Sequence, residues 1–254
     1  MAVKFIPYQI IMKGRFIALL LSVALMSACT KQKSPEGNPS TIIVFNALEN
    51  GTIVRANLSG KHPVKYITAL QIWARGQNRL YSDQAVQPVA FFASADTMPD
   101  DAPVWSGDLL LEKGNIYSLF IVNGDKGGEH VFQQEHIPGF KKDSVTYMRF
   151  ANMSNGPAIS VNIKGQPNGS FVSSLNFKGI SSFAEIPLNK SLSSLTYEVR
   201  DAASGSLIAE YTTNDMNVYT YGNGFLHKAY TLVLTGKPGA AGQDLQRLTP
   251  IVYQ

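Results

Sequence analysis

The chain has 254 residues, 44% of them hydrophobic, with 22 Lys and Arg against 18 Asp and Glu and a single cysteine. Three of the basic residues (Lys4, Lys13, Arg15) and none of the acidic ones fall in the first 28 positions, so the remainder carries 19 against 18, a formal charge of +1. The pI of about 9.0 therefore belongs largely to the N-terminus and argues against a nucleic-acid partner, while one cysteine excludes a disulfide framework and a thiolate metal site.

The first element in chain order is a leader. "MKGR" (Met12–Arg15) is basic, and "FIALLLSVALM" (Phe16–Met26) is an uninterrupted apolar run of 11 residues. A bilayer core needs about 20 residues in a helix, so the run predicts a signal peptide over residues 1–28 rather than a span. "MAVKFIPYQII" ahead of it adds nothing to such a leader, and a start at Met12 is expected. "MSAC" (Met26–Cys29) places Ser27 and Ala28 directly before the cysteine and resembles the lipobox of bacterial lipoproteins, with Met26 where Leu is usual. The resemblance implies cleavage before Cys29 and its lipidation, hence a membrane partner reached through lipid on Cys29. An ordinary secretory leader with a free thiol is the alternative. Residues 29–40, including "TKQKSPEGNPS", are polar with no apolar periodicity and read as a flexible tether. Thr30 is not the Asp that retains some lipoproteins at an inner membrane, which favours the outer membrane of the cell envelope. Surface-exported lipoproteins of Bacteroidota often carry acidic residues after the cysteine, whereas here Lys31 and Lys33 precede Glu36. Periplasmic and surface faces both stay open.

The 226 residues from Cys29 onward suffice for one large or two ordinary domains. "VFNALENG" (Val44–Gly51) and "RFANMSNG" (Arg149–Gly156) share a Phe and, five positions on, an Asn-Gly pair, at an offset of 105. Aligned without a gap, Thr41–Ile72 and Thr146–Phe177 agree at seven of 32 positions, with apolar opposite apolar nearly throughout. This is a tandem duplication. The segments are β-rich, and Asn-Gly readily adopts the positive φ angles of tight hairpin turns, so a turn is expected in each copy. "PVAFFASA", "VWSGDLLL" and "NIYSLFIVNG" follow in the first half, and "LTYEVRDAA", "LIAEYTT" and "KAYTLVLTG" answer in the second. No stretch keeps a 3.6-residue apolar period. The fold class is all-β: two tandem immunoglobulin-like antiparallel β-sandwiches over 41–138 and 145–254, joined by a linker at 139–144. "VTYMRFANMSNGPAISVNIKG", "LTYEVRDAASG" and "YTLVLTG" resemble the domain of unknown function four-three-nine-seven, found in bacterial lipoproteins and often in tandem. That resemblance implies an envelope β-sandwich and transfers no catalytic residue.

Chemistry is sparse. No Gly-x-Ser-x-Gly elbow and no phosphate loop opening a helix occur, and Asp100–Asp101 sit in the Pro-bounded loop "TMPDDAP" as solvated turn acids. In "EHVFQQEH", His130, Phe132, Gln134 and His136 would share one strand face and Glu129 and Glu135 the other. His130 and His136 would then lie about 20 Å apart, too far for one metal. No metal, cofactor or catalytic residue is expected. Among the aromatics, Trp73, Trp105 and Tyr81 are available for sugar stacking, and Tyr219 and Tyr221 in "VYTYGNGF" project to one side before a Gly-Asn-Gly. Tyr219 and Tyr221 form the candidate glycan-stacking surface. "DTM" and "DSV" resemble the Asp, Ser/Thr, apolar pattern of Bacteroidota O-glycosylation, which makes Thr97 and Ser144 candidate acceptors. The expected function is a non-enzymatic envelope protein that binds a glycan or an envelope protein; the alternative is a structural or adhesin-type assembly subunit.

Overall fold

Among the described residues the hydrophobic runs form strands, eight in each half and in the same order. The computed structural model describes residues 37–59, 69–96, 98, 100–124, 127–139, 144–217 and 224–253. The leader, Cys29, most of the tether, His62, Thr97, Tyr219, Tyr221 and linker residues 140–143 lie outside them.

The first half comprises β1 (Ser40–Asn46), β2 (Val54–Asn57), β3 (Leu70–Ile72), β4 (Gln77–Ser82), β5 (Val86–Ala93), β6 (Trp105–Leu110), β7 (Ile116–Gly124) and β8 (Gly127–Gln134). The second half comprises β9 (Val145–Asn152), β10 (Ile159–Ile163), β11 (Val172–Leu175), β12 (Ala184–Pro187), β13 (Thr196–Asp201), β14 (Leu207–Thr212), β15 (Ala229–Thr235) and β16 (Arg247–Tyr253). Sheets β4-β1-β7-β8 and β3-β2-β5-β6 make the first sandwich, and β12-β9-β15-β16 and β11-β10-β13-β14 make the second in the same order. The ladders are antiparallel except β1 with β7 and β9 with β15, which are parallel in both copies. Among the described residues the one helical turn is a 3-10 turn at Gly242–Asp244.

Each sandwich has its own core. Ile42, Val44, Phe91 and Leu119 belong to the first, and Met148, Phe150, Tyr197 and Leu232 to the second. A third core lies between them, where Ile43, Phe45, Phe120 and Val122 meet Val145, Tyr147, Ala151, Val233 and Ile251. The four sheets therefore stack as four layers within one compact unit, Asn38–Gln254. The two inner sheets are covered on both faces, which is why "STIIVFN", "VTYMRFAN" and "AYTLVLT" are nearly continuous apolar runs rather than alternating ones.

The duplication is one residue out of the gapless register. Asn46 is buried, donates to Thr52 O (2.8 Å) and Ile72 O (3.1 Å), and accepts from Leu48 N–H (3.1 Å). The residue doing this in the second copy is Asn152, which donates to Leu175 O (3.1 Å) and accepts from Ser154 N–H (3.2 Å). Their separation is 106, whereas β2 and β10 keep 105, with Val54 and Ile159 facing their own cores. One residue is missing from the second β-turn. Consequently Phe45 and Phe150, aligned in sequence, point into different cores. In the first copy the predicted turn forms: Asn50 and Gly51 have φ of 58° and 64°, and Thr52 N–H donates to Glu49 O at 3.2 Å. The second copy departs from the expectation. Neither Asn155 nor Gly156 takes a positive φ, because the loop is shorter and Pro157 pushes the residue before it toward an extended conformation.

Candidate functional site: the seam between the sandwiches

The third core is not wholly apolar. Arg149, from the middle of β9, is buried and donates from Nη2 to both carboxylate oxygens of buried Glu135, at 2.6 and 2.7 Å. Its Nε donates to Thr231 Oγ1 (2.7 Å), and Nη2 also reaches the Tyr253 hydroxyl (3.1 Å). That hydroxyl meets Ser118 Oγ at 3.1 Å, and the Phe183 ring lies 4.2 Å from the guanidinium carbon. Burial, then the nearby Glu135 carboxylate, raises the Tyr253 hydroxyl pKa. The network is closed on itself, so it fixes how the halves meet and offers nothing to a substrate.

Chemistry that faces solvent sits at the edge of the seam. The β1–β2 turn, the β3–β4 turn and the β15–β16 turn enclose an open cleft of about 340 Å³ lined by residues including Leu48, Gly51, Trp73, Arg75, Gln243 and Arg247. The left-handed Asn50-Gly51 turn is what brings the sandwiches together here. Asn50 N–H donates to Asp244 Oδ1 at 2.6 Å, and the φ of 64° at Gly51 favours glycine, whose missing Cβ lets Gln243 Oε1 lie against it. Trp73 is 64% exposed at the rim of this cleft. Arg75 Nη2 donates to Leu245 O (2.9 Å) and Arg247 Nη2 to Gly242 O (3.3 Å); neither guanidinium is ion-paired among the described residues. Arg75 Nη1 is buried and has no acceptor among the described residues. A stacking face beside two cations that lack a carboxylate partner suits a polar ligand with an apolar side.

The residues singled out from sequence divide as follows. Cys29, Thr97, Tyr219 and Tyr221 lie outside the described residues. Ser144 is half-buried immediately before β9, and its carbonyl accepts from Leu188 N–H at 2.8 Å. Along β8, Phe132 faces the first core, and the His130 ring lies 4.3 Å from that of Trp105 on the same side. Glu129 and Glu135 face the second sandwich, as the alternation predicts. Partial burial, then nearby Lys178, lowers the His130 pKa. Among the described residues no group of three His, Cys, Asp or Glu could hold a metal. Trp105 stacks on Phe91 against the first core, so it is packing rather than platform, whereas Tyr81 is 59% exposed on edge strand β4. Asp101 accepts from Met98 N–H at 2.7 Å and closes its turn. The sequence held no signal for Arg75 with Arg247, since only the stacking of the sheets unites them.

No family model matches the chain, and no curated protein does. Among solved structures, the Bacillus anthracis TIE protein aligns at 10% identity and a TM-score of 0.23, over 79% of this chain and 34% of that one, so this chain spans about a third of its length. The family CBM26 module of Eubacterium rectale Amy13K in complex with maltoheptaose aligns at 9% identity and a TM-score of 0.25, over 85% and 96%. The fimbrial anchor protein Mfa2 of Porphyromonas gingivalis aligns at 8% identity and a TM-score of 0.25, over 84% and 97%. Likeness at that level carries no argument about this chain.

Proposed function

We propose that the protein is a non-enzymatic, lipid-anchored component of the cell envelope whose paired sandwiches bind a glycan in the seam cleft. The observation that carries the reading is Trp73, an exposed indole set in a concave site among hydrogen-bonding side chains. An aromatic face held open to water at the rim of a cleft offers sugar C–H groups a surface without a conformational cost. The lipobox-like "MSAC", with its single cysteine, supports the anchor, and the resemblance to the tandem domain of unknown function supports the envelope. Binding of the full chain to a glycan array, compared with Trp73→Ala, tests the site: loss of signal is expected, and full retention moves the binding surface elsewhere, with Tyr219 and Tyr221 next to be replaced. Cys29→Ala is expected to release the chain from the membrane fraction; continued dependence on detergent contradicts lipidation there. Thr97 and Ser144 are proposed glycan acceptors, which intact mass of the exported protein decides.

One observation favours the assembly reading. Leu110 on edge strand β6 is 72% exposed, and its cross-strand partner Val86 on β5 is 47% exposed. Such an apolar edge templates pairing with another chain. Sedimentation of Leu110→Asp separates the readings, since loss of an oligomer seen in the parent supports assembly.

A further inference from the structure

We infer that the seam cleft takes an acidic saccharide, whose carboxylate or sulfate is held by Arg75 and Arg247 while Trp73 stacks on the ring. This rests on the glycan reading above and names the ligand class for the same cleft.

The inference comes from comparing the two ends of the seam. In the second sandwich Lys178 N–H donates to Asn152 O (2.7 Å), Asn152 N–H to Gly179 O (2.9 Å), and Gly179 N–H to Asn176 O (2.9 Å). In the first, Arg75 N–H donates to Asn46 O (2.8 Å), Asn46 N–H to Gly76 O (3.0 Å), and Gly76 N–H to Trp73 O (2.8 Å). Trp73, Ala74 and Arg75 thus stand where Asn176, Phe177 and Lys178 stand. The backbone agrees, with φ of 58° at Arg75 and 66° at Lys178. The opposite side of the seam follows from the ladders. Asn46 pairs with Ile121 and Asn152 with Leu234; one residue further on, Val122 pairs with Glu129 and Thr235 with Arg247. Arg247 therefore stands where Glu129 stands.

At one end a cation meets an anion: Lys178 is ion-paired with Glu129, its Nζ 5.2 Å from the Phe177 ring centre. At the other end both positions are arginine, and each donates to a main-chain carbonyl instead of a carboxylate. The anion that closes the twin is missing. Shape changes in step with charge, because Ala74 replaces the ring of Phe177 and Trp73 replaces Asn176. Asp244, the nearby acid, is held by Asn50 N–H and ion-pairs with neither arginine. Guanidinium forks match the two oxygens of a carboxylate or sulfate, and an indole matches a pyranose face.

The test places the full chain on an array of neutral, uronic-acid and sulfated oligosaccharides and titrates the best binder. Acidic members are expected to bind in preference, more weakly at high salt. Arg247→Glu, which restores the charge pattern of the twin, is expected to lower affinity on the order of tenfold or more without lowering Tm. Arg75→Gln and Trp73→Ala are expected to weaken it as well. If neutral glycans bind and Arg247→Glu leaves them unaffected, the ligand class is wrong while the glycan reading stands. If no glycan binds, both fall. Acidic glycans held undiminished by Arg75→Gln and Arg247→Glu overturn the site.

Discussion

Two buried tyrosines show how differently the second core and the seam are built. Tyr197 packs edge-to-face against Phe150 and Phe171, with both ring centroids 5.4 Å away, and its hydroxyl has no partner among the described residues. Tyr253 is as deeply buried, yet its hydroxyl engages Ser118, Thr231, Arg149 and Glu135. Apolar contact is non-directional, so a core of rings tolerates small rotations of one sheet over the other. The seam adds a directional lock that accepts one docking geometry.

Separating the halves tests that contrast most severely. The two halves are proposed as folding units, each with its own core, so a fragment from Ser144 is expected to melt cooperatively, at a lower temperature than the full chain, and to self-associate through bare Val145, Tyr147, Ala151 and Ile251. Calorimetry with sedimentation checks both, and a fragment without a cooperative melt makes the seam part of the folding unit. Next comes the ion pair. Glu135→Ala leaves a buried guanidinium uncompensated and is expected to cost about 3–5 kcal/mol in denaturant titration, whereas Glu135→Leu with Arg149→Met is expected to recover most of it. A single-variant cost under about 1 kcal/mol is the signature of a water-filled seam.

Removing one hydroxyl at a time gives a smaller and more pointed contrast. Tyr253→Phe is expected to destabilise by about 1–3 kcal/mol, because it strands its partners, while Tyr197→Phe is expected to be neutral or stabilising. Equal effects erase the distinction. Alkali acts on a buried tyrosine of each region, Tyr230 in the second core and Tyr253 in the seam. Burial raises the Tyr230 pKa to about 12 and also raises that of Tyr253. A tyrosine raised above its unfolded value of about 10 contributes stability fully present below that pH and lost as pH climbs toward the folded value. Ionisation of Tyr230 and Tyr253 is therefore expected to accompany loss of structure in that window, and their ionisation near pH 10 in the folded chain contradicts it. The smallest effect lies in the turns. Asn50→Ala places alanine at positive φ and is expected to cost about 1 kcal/mol, while Asn155→Ala, where φ is ordinary, is expected to be close to silent.

Much of the fold was legible because strand existence depends on local pattern. The runs around Phe45, Leu119, Phe150 and Leu232 and the Asn50-Gly51 turn all appear where sequence places them. The parallel ladders were not legible, since a parallel pair is joined by distant segments and leaves no mark on its neighbours. The direction of Phe45 and Phe150 escaped for another reason: in a strand apolar on both faces, alternation carries no information about which face is which. Arg149 was the available clue, a lone charge inside "VTYMRFAN" where only a buried partner makes it tolerable. Trp73 was legible as an available aromatic but not as a cleft residue. Its neighbours Arg75 and Arg247 come from the two halves and meet only after four sheets have stacked.

The first strand has a mechanical meaning. β1 lies inside its sheet, paired over six positions with β4 on one side and over six with β7 on the other. A pull applied through Ser40 along the strand runs parallel to β1 and across the inter-strand hydrogen bonds, so it loads both ladders in shear, many bonds at once, instead of unzipping them singly. A chain held from its N-terminal side and tugged by whatever occupies the seam would thus carry tension through an element clamped along both edges, and would be expected to yield elsewhere first, at the short outer strands β3 and β11.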